Sequence, residues 1–164
     1  MWKMDRSNRN DSPAWANIPA RNPNSQRQWE GMKDYGPEPF VVDIEEATLQ
    51  NRNFRTALWT GNHLQLTLMS IGVGDDIGLE MHPDVDQFIR VEQGEGVALM
   101  GDSMENLSFR QNVSDDDVIL IPAGTWHNII NTGNEPMKVY SIYAPPEHPH
   151  GTVHVTKEEA EHHH

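Results

Sequence analysis

The sequence predicts an all-β chain, a sandwich or barrel of short antiparallel strands. Three observations carry that prediction. From residue 40 onward, short runs rich in β-branched, aliphatic and aromatic side chains recur at regular spacing. Turn signals separate them: G-V-G-D-D, H-P-D-V-D, Q-G-E-G, M-G-D-S, S-D-D-D, P-A-G-T and T-G-N-E-P. No helical periodicity is interleaved, which argues against the strand–helix alternation of a parallel α/β sheet.

Taken in order, residues 1–39 form an extended N-terminal arm rich in Asn, Pro, Arg, Ser and Gln. Its apolar anchors, Trp2, Trp15, Ile18 and Trp29, are too sparse to offset ordering entropy in a core of their own. Two readings stand: an arm docked on a barrel, its own or a partner's, or a disordered lead-in. A barrel over 40–145 follows, with strands expected at 40–44, 55–59 and 64–71. The last alternates strictly, Leu64, Leu66, Leu68 and Ser70 on one face and Gln65, Thr67, Met69 and Ile71 on the other. Further strands are expected at 78–82, 87–92, 96–100, 107–113, 118–121, 127–131 and 137–143. Two stretches read as helix. One covers 44–50, a turn or two. The other, 156–161, opens T-K-E-E, a capping box with Thr156 as N-cap and Glu159 three residues on. It lies in a Pro- and His-rich tail, 146–164.

Bulk properties exclude several functions. A chain of 164 residues is the size of one domain. It has no cysteine, so neither disulfides nor thiolate metal sites are available. A formal charge of -13 argues against binding nucleic acid or an anionic membrane, and no helix-turn-helix pattern accompanies the strands. No apolar run reaches membrane-spanning length and residues 1–10 are polar, so a soluble, cytoplasmic protein is expected. The closing run 162–164 is all His, a tag or a native end, and is left out of any site.

Two segments carry chemistry. In the first, 74–94, Glu80 and His82 stand at i and i+2, one face of a strand. A turn over 83–86 is expected to reverse the chain and return Gln87 beside them, so that three metal-competent side chains converge from one hairpin. In the second, I-P-A-G-T-W-H-N-I-I-N, a Pro-Gly turn feeds a strand beginning at His127.

These segments resemble the paired motifs of the cupin superfamily. Gly74 and Gly94 fall on the two glycines of the first motif, and His82 on its second histidine. Glu80 takes the place of the first histidine and Gln87 that of the glutamate. Pro122, Gly124, His127 and Asn131 match the second motif, while its leading glycine falls on Asp116. The resemblance implies a double-stranded β-helix, or jelly roll, with a metal in one mouth held by Glu80, His82, Gln87 and His127. That set keeps the one negative charge of the usual cupin site and exchanges one imidazole for an amide oxygen. It suits one divalent transition ion: Mn, Fe or Zn, with Ni or Co as further options. An empty pocket is the competing reading, but both replacements can coordinate, and a buried Glu80 without a cation would be costly.

Other residues carry weaker expectations. Met81 and Trp126 alternate away from the metal and are expected in packing. Arg90 is out of phase with Gln87 and should make a surface or interface salt bridge. Asp84 and Asp86 belong to a solvated turn, Asp86 being a substitute ligand at most. His148, His150 and His154 are expected in a segment laid across the barrel or an adjacent subunit, with a second metal site or a general base as alternatives. The function expected is a metal-dependent isomerase, hydrolase or dioxygenase acting on a small polar molecule, a sugar derivative or hydroxy acid. Glu80 is the residue expected to be catalytic. The alternative is a non-catalytic sensor or storage barrel with a structural metal. A homodimer is expected because such barrels have edge strands to cover.

Overall fold

A computed structural model describes residues 31–162. Two antiparallel sheets face each other and enclose the core. The strands are β1 (Arg55–Thr60), β2 (Gln65–Ile71), β3 (Asp86–Gln93), β4 (Gly96–Gly101), β5 (Phe109–Val113), β6 (Val118–Ile121), β7 (Trp126–Asn131), β8 (Met137–Ala144) and β9 (Val153–His154). The larger sheet runs β6-β3-β8-β2-β1-β9 and the smaller β5-β4-β7. This is the all-β jelly-roll barrel the sequence predicts, ending in a short helix, α2 (Lys157–His162).

The register explains where the site sits. In the larger sheet Tyr143 of β8 is flanked by Gln65 of β2 and Gln87 of β3, all three buried. Two residues along, Ser141 sits between Thr67 and Ile89. One step further, Val139 lies between Met69 and Val91. Side chains two apart share a face, so these rungs all project into the lumen, polar at one end and apolar at the other. Ile71, Ile119, Ile121, Ile129 and Met137 complete the apolar half. Helix α1 (Ile44–Gln50) packs over β2, β8 and β3 and covers the outer face, where Leu68 and Ala47 are buried.

Several sequence expectations need correction. Residues 40–43 are not a strand, and Ile44 opens α1. The Asp43 side chain caps that helix, accepting the Glu46 N–H at 3.1 Å, and Glu45 and Glu46 favour its first turn. The 78–82 segment is not a regular strand either; it is tied to β7 through an isolated bridge at Glu80. Strand β9 was not expected, and its two residues are too few for any periodicity to show. The capping box of α2 forms with an offset. Thr156 Oγ1 accepts the Glu159 N–H at 3.2 Å, and the Glu159 carboxylate accepts from Val155 N–H at 2.7 Å.

Candidate metal centre

Backbone pairing brings Glu80 opposite His127. The Glu80 N–H donates to the His127 carbonyl at 3.0 Å, and the His127 N–H returns a bond to Glu80 at 2.9 Å. The P-A-G-T turn before β7 is pinned by Gly124 N–H donating to the His82 carbonyl at 2.8 Å. Gly124 has φ 80°, where a side chain would be strained, which accounts for glycine three residues before the histidine. Glu80 and His82 thus lie against the smaller sheet while Gln87 rises from the larger one. The expected hairpin does not form: β3 pairs with β6 and β8, so Gln87 belongs to a different sheet from His127.

The imidazoles are oriented for coordination. His127 Nδ1 lies 2.9 Å from the Thr125 carbonyl, which can only accept, so Nδ1 carries the proton and Nε2 presents a lone pair. His82 Nδ1 lies 3.1 Å from Glu147 Oε1, leaving its Nε2 in the same state. Both Nε2 atoms are buried without a hydrogen-bond partner. Each approaches Glu80 Oε1, at 3.4 Å for His82 and 3.5 Å for His127. Donor atoms of all three lie within 4.8 Å of one another. Ligands about 2.1 Å from a shared ion sit roughly 3.0–3.5 Å apart, so the cluster fits a divalent cation.

Gln87 is buried, and its amide nitrogen donates to Ser141 Oγ over a long 3.4 Å. Its Oε1 is a third buried atom without a partner. An amide whose N–H is engaged and whose oxygen is free suits a neutral fourth ligand.

Charge accumulates in this mouth. Burial alone would raise the Glu80 pKa, but contact with His127 and His82 and the Arg55 guanidinium hold it far below the ordinary carboxylate range. Burial disfavours a charged His82, yet Glu80 and Glu147 outweigh it and raise its pKa. The Tyr143 phenol, wholly buried, is pushed up to about 12, chiefly by burial. Burial and the Arg55 charge push His148 down to about 3, so its imidazole is neutral. A cavity of about 480 Å³ opens beside Glu80 and His82, lined also by Arg55, Phe54, Glu147 and Lys157.

Sequence reasoning missed Glu147 and Arg55. Glu147 is separated from His82 by most of the barrel, and only the fold joins them. Arg55 is 3% exposed, an inward charge at the start of a strand whose sequence shows no alternation to reveal it. The tail does cross the barrel: Gln65 holds the His148 main chain at 2.9 Å, and β9 pairs with β1. Its histidines join no group of three potential metal ligands among the described residues, though the His148 and His154 rings lie edge-on at 6.4 Å. His148 stands edge-on to Tyr143, His154 accepts from Arg55 at 3.1 Å, and His150 turns outward to Asp34. Met81 lines the cavity rather than packing away from it. Arg90 faces outward and bridges Glu92 at 2.9 Å and Asp116 at 3.1 Å, as its phase predicts. Asp86 braces the P-A-G-T turn by accepting the Ala123 N–H at 2.9 Å. Asp116 takes φ 75° where the motif has glycine, so the backbone keeps the left-handed turn and only the side chain departs. Asn131 donates to the Ile71, Gly72 and Glu135 carbonyls, a tie between loops.

Comparison with known proteins agrees with this geometry. A family model described as "Cupin domain" matches residues 67–143. The uncharacterized protein YrkC of Bacillus subtilis (strain 168) is 67% identical over 129 residues, covering 79% of this chain and 69% of YrkC. The uncharacterized protein L612 of Acanthamoeba polyphaga mimivirus is 43% identical over 119 residues, 72% of each chain. The crystal structure of BH2720 from Bacillus halodurans superposes with a TM-score of 0.79 at 65% identity, covering 79% of this chain and 98% of that one. No helix among the described residues is long and apolar enough to cross a membrane. With the matched barrel strands, the paired motifs and the Glu–His–His cluster in its mouth, the chain belongs to the cupin family as a small cupin-domain protein.

Proposed function

We propose that the protein is a metal-dependent enzyme acting on a small polar, oxygen-rich molecule, with Glu80, His82, Gln87 and His127 holding the ion. One observation carries this. Two buried imidazole nitrogens, His82 Nε2 and His127 Nε2, lack hydrogen-bond partners within 4.8 Å of a Glu80 carboxylate oxygen, and the buried Gln87 Oε1 on the facing sheet lacks one too. Unpaired buried polar groups are costly, and a cation bound by all four side chains removes the cost. Two imidazoles, one carboxylate and one amide favour Mn(II), Fe(II) or Zn(II) over copper. Bound there, the ion would supply Lewis acidity to an oxygen of the substrate.

The protein's own side chains supply the rest. Glu80 acts as a fixed negative charge at the reacting centre, since its depressed pKa makes it a poor proton carrier at neutral pH. Glu147 orients His82, and the Thr125 carbonyl orients His127. The cavity volume falls within the range of small-molecule sites, and its opening lets a substrate reach Glu80 and His82. Isomerase, hydrolase and dioxygenase chemistries are all compatible with this centre. A homodimer is part of the same proposal, because β5 is an open edge with Phe109 exposed, and gel filtration tests it.

Elemental analysis of protein purified without nickel chromatography tests the metal. About one ion per chain is expected, falling below roughly a tenth in His127→Ala. Screening the loaded protein against hydroxy acids and sugar derivatives then separates enzyme from binding module. In an enzyme, Gln87→Glu changes turnover far more than melting temperature. A loaded barrel without turnover, whose stability tracks metal content, is a binding module.

A further inference from the structure

Arg55 has a role the metal centre leaves unexplained. Its side chain is 3% exposed and lines the same cavity as Glu80 and His82. One terminal nitrogen donates to His154 Nδ1 at 3.1 Å, and the guanidinium lies 5.3 Å from the centre of the Phe54 ring. Its Nε–H is buried without a partner, and no carboxylate of the described residues reaches it as an ion pair. A guanidinium stays charged at every physiological pH, and a buried one without an anion carries a large desolvation cost.

Glu161 also lines the cavity, and the charges nearest the metal centre are already engaged. Glu147 pairs with His82 Nδ1, and Glu80 faces both imidazoles. Lys157, the cavity's other cation, is held by Asp75 at 3.0 Å and by Asp76. With a divalent ion at Glu80, His82 and His127, the Glu80 and Glu147 carboxylates offset the ion. Arg55 is then the cation of the cavity wall that no carboxylate of the described residues contacts directly, with an N–H left unpaired for whatever enters.

We infer that the cavity takes a small carboxylate, one end seated on the Arg55 guanidinium and the other directed at the metal. This rests on the proposed metal centre and narrows its substrate class. One guanidinium presents a planar fork that matches a carboxylate, and a single cation with an unpaired N–H suits a monoanion. A phosphate dianion would place a second negative charge close to Glu80 and Glu147, with Lys157 already committed. Arg55 is thus a specificity residue, and the neutral sugars of the wider proposal are disfavoured.

Calorimetry on the full, Mn(II)-loaded chain tests this, using glycolate, lactate and glycerate, each against its neutral amide. At least one carboxylate is expected to bind roughly 30-fold more tightly than its amide. Arg55→Gln should erase that difference with metal content unchanged, and Arg55→Lys should keep part of it. Equal affinity of acid and amide, no binding by any of the three acids, or undiminished discrimination in Arg55→Gln would overturn the inference. The acid–amide comparison on the unmutated protein decides the matter should the variants misfold. Elemental analysis of each sample separates two failures: no ion with Arg55-dependent binding removes the metal centre alone, whereas an ion without carboxylate binding removes this inference alone.

Discussion

The two halves of the barrel lumen are built by the same strands and have opposite chemistry. On β3, Gln87 faces the mouth and Ile89 and Val91 face the closed end. On β2 the change comes between Thr67 and Met69, on β8 between Ser141 and Val139, and on β7 between His127 and Ile129. Antiparallel pairing puts the changes on β2 and β8 at one level, while that on β3 comes one rung nearer the mouth, Ile89 lying beside Ser141. The closed half is a packed apolar core of the usual kind. The open half is buried as well, but by groups whose polar atoms go unpartnered. Burial is therefore similar in the two halves, while satisfaction is not. The closed half is organised for stability and the open half for a ligand.

The sharpest way to break this contrast uses two residues of one strand. Ile89→Ala should cost about 3–4 kcal/mol in denaturant titration, through lost transfer energy and a cavity. Gln87→Leu, two positions away, should change the stability of chelator-treated protein by less than about 1.5 kcal/mol. It should nevertheless weaken metal binding roughly tenfold or more. Equal costs at the two positions would mean that the halves are not distinct.

Glu147→Gln sharpens the comparison within the open half. The Glu147 carboxylate meets His82 at the nitrogen facing away from Glu80, so metal affinity should fall about 10- to 100-fold by competition titration. Melting of the chelated protein should move little. A loss of fold instead would make Glu147 a structural brace.

At the closed end, Asp116→Gly should stabilise the protein by about 0.5–1 kcal/mol. Asp116 holds φ 75° in the turn that pairs with Val91, and its exposed contact with Arg90 contributes little. Thermal melting measures this, and a decrease would mean the Arg90 contact outweighs the backbone term.

The smallest effect concerns α2, which borders the open half. Burial would raise the Asp76 pKa, but Lys157, Asn128 and the Gly78 backbone together lower it below 3.8. Burial would lower the Lys157 pKa, but Asp76 and Asp75 raise it above 10.5. A depressed carboxylate stabilises above its unfolded pKa and loses that as pH falls through the folded value. A raised lysine stabilises below its unfolded pKa and loses that as pH rises through the folded value. Amide exchange in α2, corrected for intrinsic rate, should therefore stay flat between about pH 5 and 9 and rise only outside that window. A step near neutrality would contradict the clamp.

Much of this was legible in the sequence where the signal is local. Alternation in β2, the P-A-G-T turn before His127 and the capping box at Thr156 each depend on neighbours in the chain. The i, i+2 spacing placed Glu80 and His82 together even though their segment is irregular. What could not be read depends on distant pairing. Alternation shows that Gln87 and Ile89 share a face, but not which belongs to the mouth. Glu147 and Arg55 reach the site from the tail and β1, and neither carries a motif. Residues 40–44 were misjudged because β propensity in F-V-V is outcompeted by the Asp43 cap. Trp2, Trp15, Ile18 and Trp29 of the expected arm lie outside the described residues.

The most direct test is an anomalous-difference map at the manganese edge, from crystals of the protein grown with Mn(II). The account predicts one strong peak within about 2.4 Å of Glu80 carboxylate oxygen, His82 Nε2, His127 Nε2 and Gln87 Oε1. A map with no peak there, or with its peak on His148, His150 or His154 instead, would contradict it.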